Sequence, residues 1–171
     1  MPIEIKVKMN AQTMADFMVY HIFTSKAGML AMALGVLNMG FTVAFAMQKK
    51  YLFMFIFFTF AILILVGFPK FIRKKVNVQF ENSKKLKAPI TYIFDEEGIE
   101  TITEDGRGKA SWKKFSRAVS KKQLIVLYDA TRQAIVLPVE QLGDCYTAIV
   151  DLIFAQMPNR AVTIHRIDKK R

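Results

Sequence analysis

The side chains able to do chemistry in this sequence are few and scattered. There are two histidines, His21 and His165, and one cysteine, Cys145. Neither histidine has a cysteine or a second histidine at the spacing a zinc site needs. His21 follows Tyr20 and reads as an interfacial or packing residue. Cys145 falls on the apolar stripe of a helix near the C-terminus, where a thiol is more often core than nucleophile. A single cysteine forms no internal disulfide, which fits a reducing compartment. The run Asp95, Glu96, Glu97, Glu100, Glu104 and Asp105 lacks the ligand spacing and glycine placement of a calcium loop. It reads as a solvated acidic hairpin. Gly106-Arg107-Gly108 reads as a turn rather than a phosphate-binding loop. No acid, base, nucleophile and metal ligand converge. The expectation is a non-enzymatic protein with no catalytic residue, no metal and no cofactor.

The most suggestive segment is cationic. Lys109, Lys113, Lys114, Arg117, Lys121 and Lys122 follow one another around Trp112 with no acid between them. Two fates compete for these cations. They either rest on an anionic lipid surface, gaining about 1 kcal/mol per basic residue near it, or pair with the neighbouring acidic hairpin. Nucleic acid ranks below both, because no exposed aromatic residues interleave the cations. Trp112 is expected in the structural core. A small sheet needs a large apolar plug, and a Trp buries about 150–250 Å².

These residues must be held by something, and the composition says what. The chain has 171 residues and a formal net charge of +11, with 53% hydrophobic residues and fifteen Phe. The apolar excess is concentrated between Ala27 and Phe68. Ala27 to Met47 carries no charge and as a helix spans about 31 Å; Tyr51 to Phe68 carries none and spans about 27 Å. Only Gln48-Lys49-Lys50 separates them, so the two helices are expected to form an antiparallel transmembrane hairpin at about 27–47 and 51–68. The first run starts too late, and is too long, for a signal-peptide core. Lys26, Lys70, Arg73, Lys74 and Lys75 flank the open end against Lys49 and Lys50 at the turn. The positive-inside bias then places both termini in the cytoplasm of a two-span cell-membrane protein. On the first helix Ala27, Ala31 and Gly35 recur at four-residue spacing and Asn38 sits mid-span. This is a candidate helix–helix interface, either with the second span or with another subunit.

Outside the hairpin the pattern changes. Ile3, Ile5, Val7 and Met9 alternate with Glu4, Lys6 and Lys8, a half-buried strand expected to join the sheet formed by the C-terminal half. Asn10 suits a helix N-cap. Met14, Phe17, Met18 and Ile22 then form a stripe, read as an amphipathic helix lying along the membrane surface. After the second span, Pro69 and the basic cluster mark the exit, and Val76 to Phe80 reads as a short strand. Strands follow at 90–94, 99–103, from Ala110 toward Val119, 124–128 and 134–137, separated by turn-forming residues. Leu142, Tyr146, Ile149 and Ile153 shift the period to that of an amphipathic helix ending at Pro158-Asn159. The tail from Ala161 suits one more short strand with a basic end. The fold class expected is an α+β membrane protein. It comprises an N-terminal strand and amphipathic helix (1–25), a two-helix hairpin (26–72), and a small antiparallel sheet domain capped by a C-terminal helix (76–171).

The order of these segments, with ITYIFDEEGIET, SWKKF, LIVLY and AIVLP, resembles the YcxB-like family of small bacterial membrane proteins. The resemblance rests most on Phe94, Asp95 and Gly98, the Ser111-Trp112 pair, and a strand ending at Pro138. It implies a membrane-anchored domain similar to bacterial pleckstrin-homology (PH) modules, and it brings no reaction with it. The function expected is a cytoplasmic interaction or regulatory module at the inner face of the membrane. The alternative is an accessory subunit of a larger membrane complex such as a transporter, contacted through the hairpin. Partners implied are membrane lipids, anionic ones among them, and a protein partner or a second copy of the chain.

Overall fold

The computed structural model describes residues 2–121, 123–131 and 133–164. Lys122, His165 and the basic end of the tail lie outside the described residues. The chain divides into two compact units, one formed by residues 1–9 with 84–171 and the other by residues 10–83. The first strand joins the C-terminal unit, where the sequence reading placed it; against the expected division at 1–25, 26–72 and 76–171, the first helix and residues 76–83 group with the hairpin.

The sheet unit begins with β1 (Ile3–Val7), whose Ile5 and Val7 are buried while Glu4 and Lys6 are exposed. It pairs antiparallel with β2 (Ile90–Phe94), across more than eighty intervening positions, with Ile5 opposite Tyr92. Next come β3 (Gly98–Thr103) and β4 (Gly106–Ser111), joined by the tight turn at Glu104-Asp105. Together these form a four-stranded sheet in the order β1-β2-β3-β4. A 3-10 corner at Trp112–Lys114 leads into β5 (Phe115–Lys121), then β6 (Leu124–Asp129) and β7 (Ala134–Pro138). With the short β8 (Val162–Thr163), which runs parallel to β5, they form a second sheet in the order β7-β6-β5-β8. A short helix, α5 (Lys84–Lys87), precedes β2, and the helix α6 (Cys145–Gln156) closes the unit. Its Ile149, Val150 and Ile153 join Phe94, Ile99, Ile125, Leu127 and Leu137 in one core.

The edges of the first sheet are managed differently. On β1 the Gln141 amide bonds the strand as a neighbouring strand would. Lys8 N–H donates to Gln141 Oε1 and Gln141 Nε2 donates to Lys8 O, both at 2.8 Å. On β4 the edge strand carries Arg107 and Lys109, charged residues of the type that discourage pairing with another chain.

The helical unit opens with α1 (Ala11–Phe23), capped by Asn10, whose side chain accepts from Thr13 N–H at 2.7 Å. Ser25 caps α2 (Lys26–Met47) and its hydroxyl donates back to Ile22 O at 2.6 Å. This joint is tight: a Cβ on Gly28 would lie 2.0 Å from Ile22 O. The turn to α3 (Tyr51–Ile62) is a Schellman cap. Lys50 N–H reaches Phe45 O and Lys49 N–H reaches Ala46 O, with Lys49 left-handed at φ 58°.

The second helix does not stop at Pro69. A π-helical stretch, Leu63–Gly67, runs straight into α4 (Phe68–Asn82). Phe68 N–H bonds Leu63 O five residues back, and the widened turn absorbs the proline ring and its missing donor. The strand expected at 76–80 is therefore helical. Val76, Val78 and Phe80 alternate, but the buried residues are Ile72, Val76 and Phe80, at four-residue spacing, and Val78 is exposed. That stripe also explains α1. Met14, Met18 and Ile22 pack with Ala15 on Ile72 and Val76, and Arg73 Nη2 donates to Asp16 Oδ1 at 2.5 Å. The apolar face of α1 thus packs in part against α4.

Candidate functional site

The residues that carry the sequence signature around Trp112 form one structural knot. Asp95 sits at the β2–β3 turn, where its Oδ1 accepts from Glu97 N–H at 2.8 Å and Gly98 N–H at 2.7 Å. Trp112 Nε1 donates to Asp95 O at 2.8 Å, and Trp112 N–H donates to Glu97 O at 3.3 Å. The indole is buried, with ring centroids 6.4 Å from Phe94 and 6.1 Å from Phe115. Gly98 is opposite Ser111, and a Cβ there would lie 2.1 Å from Ala110 O. Pro138 is buried at the end of β7 opposite Leu124. These residues satisfy one another's polar groups and fill a core; none aims a reactive group into open space.

The cationic segment is split by the fold. Lys109, on β4, is held by the acidic turn, with Nζ 2.9 Å from Asp95 Oδ2 and 2.7 Å from Glu97 Oε2. Arg107 forks onto Glu100, and Lys85 Nζ lies 2.8 Å from Asp105 Oδ2. Lys113, Lys114, Arg117 and Lys121 are exposed and take no part in this ladder. Among the described residues Lys113, Arg117 and Lys121 make no hydrogen bond or ion pair through their side chains.

The ladder shifts its acids in one direction. The Lys109 ammonium, aided by the turn amides, holds Asp95 below the usual carboxylate range. The Arg107 guanidinium does the same for Glu100. At the β6–β7 turn, Asp129 is held down chiefly by the Thr131 hydroxyl, with the Gln133 and Thr131 amides beside it. A carboxyl whose folded pKa lies below its unfolded value stabilises the fold above the unfolded pKa, about 4. That contribution is lost as pH falls through the folded value. Burial pushes Tyr92 up to about 12, so its contribution is present below about 10, the unfolded value, and lost above it. The expected stability profile is flat between these limits, with an acid limb below about pH 4. Thermal unfolding across pH checks it. Asp129→Asn should flatten the acid limb without moving the alkaline one.

Two clefts open on this unit. One, about 250 Å³, lies between β4 and the β6–β7 turn and includes Ala110, Lys114, Phe115, Asp129 and Ile135. Its single carboxylate is already engaged by the turn. The other, about 640 Å³, is lined by Ile3, Ala148 and Leu152 together with Glu96 and Asp151. Among the described residues no group of three or more His, Cys, Asp or Glu side chains could hold a metal ion. Cys145 is a free, half-buried thiol beside the core, and the His21 ring lies 5.6 Å from that of Phe17.

In the helical unit the small residues separate. Gly35 is buried where α2 meets the π-helical stretch, with a built Cβ falling 2.6 Å from Leu65 Cδ2. Ala31 is half-buried and Ala27 is exposed. Asn38 Nδ2 donates to Leu34 O at 2.7 Å within its own helix. Aromatic stacking that spacing did not reveal does much of the joining. Phe45 lies 5.4 Å from Phe53 and 5.3 Å from Phe57, and Phe41 lies 5.1 Å from Phe57.

Neither the curated proteins nor the solved structures contain a match to this chain. The family model described as YcxB-like protein matches residues 94–153. That span runs from the last residue of β2 to the buried Ile153 of α6 and contains the whole Trp112 knot. The chain is thus similar to the YcxB-like family over residues 94–153, about a third of its length.

Proposed function

We propose that this chain is a non-enzymatic integral membrane protein in which α2 and the helix from Tyr51 cross the bilayer as a hairpin. Its YcxB-like domain, of PH-like character, stands on the cytoplasmic side as an interaction or regulatory module. One observation carries the membrane part. Every exposed large hydrophobic side chain among the described residues lies between Met29 and Val78. The two apolar helices, Lys26–Met47 and Tyr51–Asn82, have mean hydropathies of 1.8 and 2.6 over windows only 6% buried. A core helix of a soluble protein hides such a surface; only lipid makes its exposure favourable. Two sheets closed by one amphipathic helix support a binding module. The basic residues from Lys70 to Lys75, together with Lys26, favour the cytoplasmic orientation over the turn's Lys49 and Lys50.

Cysteine accessibility in intact cells tests this, in a Cys145→Ala background. Gln48→Cys should react with a membrane-impermeant thiol reagent, and Glu104→Cys only after permeabilisation. The reverse pattern overturns the orientation while keeping the hairpin. Gln12→Cys and Glu104→Cys labelling from opposite sides overturns the hairpin.

A further inference from the structure

Of the basic residues where the second span ends, one is engaged and three are not. Arg73 donates to Asp16 on α1. Lys70, Lys74 and Lys75 make no hydrogen bond or ion pair through their side chains among the described residues. The packing of α1 decides where they point. Ile72, Val76 and Phe80 are the buried residues of α4, and Ile72 and Val76 lie against α1. At about 3.6 residues per turn, Lys70, Phe71, Lys74, Lys75 and Val78 fall away from that contact. All five are exposed, Phe71 by 63% and Val78 by 55%. Lys70 and Lys74 are one turn apart, where side chains on one helix face meet. The next acid along this face, Glu81, stands about 10 Å beyond Lys74 and is itself engaged.

The depth of this face follows from the packing below it. A Cβ on Gly35 of α2 would lie 2.6 Å from Leu65 Cδ2 and 3.2 Å from Ile64 Cγ2, and the Phe41 ring lies 5.1 Å from that of Phe57. Counting outward from these contacts, at about 1.5 Å per residue on each helix, brings Lys26 level with residues 72–74. In the membrane reading above, the uncharged run of α2 marks the hydrocarbon, so the headgroup layer crosses α4 at that level. Lys70 starts about 5 Å below it and Lys75 about 3 Å above it. Lys70 can extend upward along the apolar surface to place its ammonium among the headgroups. Lys74 and Lys75 lean back toward the bilayer, because side chains tilt toward the N-terminus of their helix and α4 runs away from the membrane. The three ammonium groups therefore converge on one layer. Like charges gathered there repel one another, and a phosphate between them removes that cost. We infer that Lys70, Lys74 and Lys75 form a binding site for the headgroup of an anionic phospholipid, with Phe71 against the upper part of its acyl chains. This rests on the membrane reading above. Arg73 is not part of the site, since Asp16 holds it.

The test uses the full chain, purified in mild detergent and offered equal amounts of phosphatidylglycerol and phosphatidylcholine. Native mass spectrometry counts the lipid adducts that are retained. Phosphatidylglycerol should predominate, and Lys74→Gln should lower that preference about fivefold, the equivalent of about 1 kcal/mol per charge near the surface. Lys74→Gln with Asn82→Lys restores the net charge about 12 Å farther out on the same helix and should keep the loss. Recovery of the preference in that double variant would make net charge the cause and overturn the inference. Equal retention of the two lipids by the wild-type chain would also overturn it. So would displacement of phosphatidylglycerol by excess glycerol phosphate, which would assign the lysines to a water-soluble phosphate ligand. Resistance of the chain to alkaline carbonate extraction from membranes is measured in parallel. Extraction would refute the anchor and the site together, whereas an anchored chain without a lipid preference refutes only the site.

Discussion

Trp112→Ala is expected to destabilise the sheet unit by about 3–5 kcal/mol, the range for removing a fully packed large aromatic side chain. The indole is 5% exposed and lies between Phe94 and Phe115. Two losses combine. A cavity is left at the junction of β2, β3 and the 3-10 corner, and Asp95 O loses its donor. Trp112→Phe separates the two. It keeps most of the ring and loses the hydrogen bond, so it should cost about 1 kcal/mol for the bond plus a smaller packing term. Pulse proteolysis of the full chain through a urea series, following fragments of residues 84–171, measures both. Because the chain has one Trp, the wild-type emission gives an independent check. It should be blue-shifted and protected from iodide, and should move to the red in the same transition. A folded Trp112→Ala domain with wild-type stability would overturn the core assignment and make the indole a surface anchor.

The second large effect is expected at Gly98. A Cβ there falls 2.1 Å from Ala110 O and 2.8 Å from Ala110 C, both backbone atoms of the paired strand. A flexible side chain could swing aside; a strand in register cannot. Gly98→Ala should therefore push β3 and β4 apart at the point where Trp112 N–H reaches Glu97 O. Overpacking of this kind costs about 1–3 kcal/mol and sometimes more. Gly108→Ala is the matched comparison on the same hairpin. A Cβ there meets nothing within 4 Å, so the change should be neutral or should stabilise by about 0.4–1 kcal/mol through the unfolded chain. Amide exchange across β3 and β4 reads the difference locally. Equal protection in both variants would refute the tight approach at Gly98.

The same contrast explains what the residues alone could and could not specify. Short apolar, β-branched and aromatic runs bounded by turn residues determined the strands at 90–94 and 124–128 closely, because a strand buried on both faces leaves a continuous apolar stretch. The two apolar runs likewise determined the two long helices, since no arrangement of a polar chain needs so many uncharged residues in a row. Asn10 as a cap and the β1 strand's need for a sheet were also legible, each being a local requirement of its own backbone. The continuation of the second helix through Pro69 was not. Val76, Val78 and Phe80 satisfy both a two-residue and a four-residue period, and only α1 packing on Ile72 and Val76 chooses between them. The small residues of α2 looked equivalent in sequence. The fold placed Gly28 in the first turn of α2 against the end of α1, Gly35 at the helix contact, and left Ala27 exposed. The cations from Lys109 to Lys121 also looked equivalent. Which of them are free depends on where Asp95 and Glu97 stand, and a turn stabilised by Gly98 and Trp112 puts those acids against Lys109 alone. Where one period alone fits, the identity of an element is a property of neighbouring residues and can be read from them; the pairing of charges is a distance between elements, and only tertiary structure sets distances.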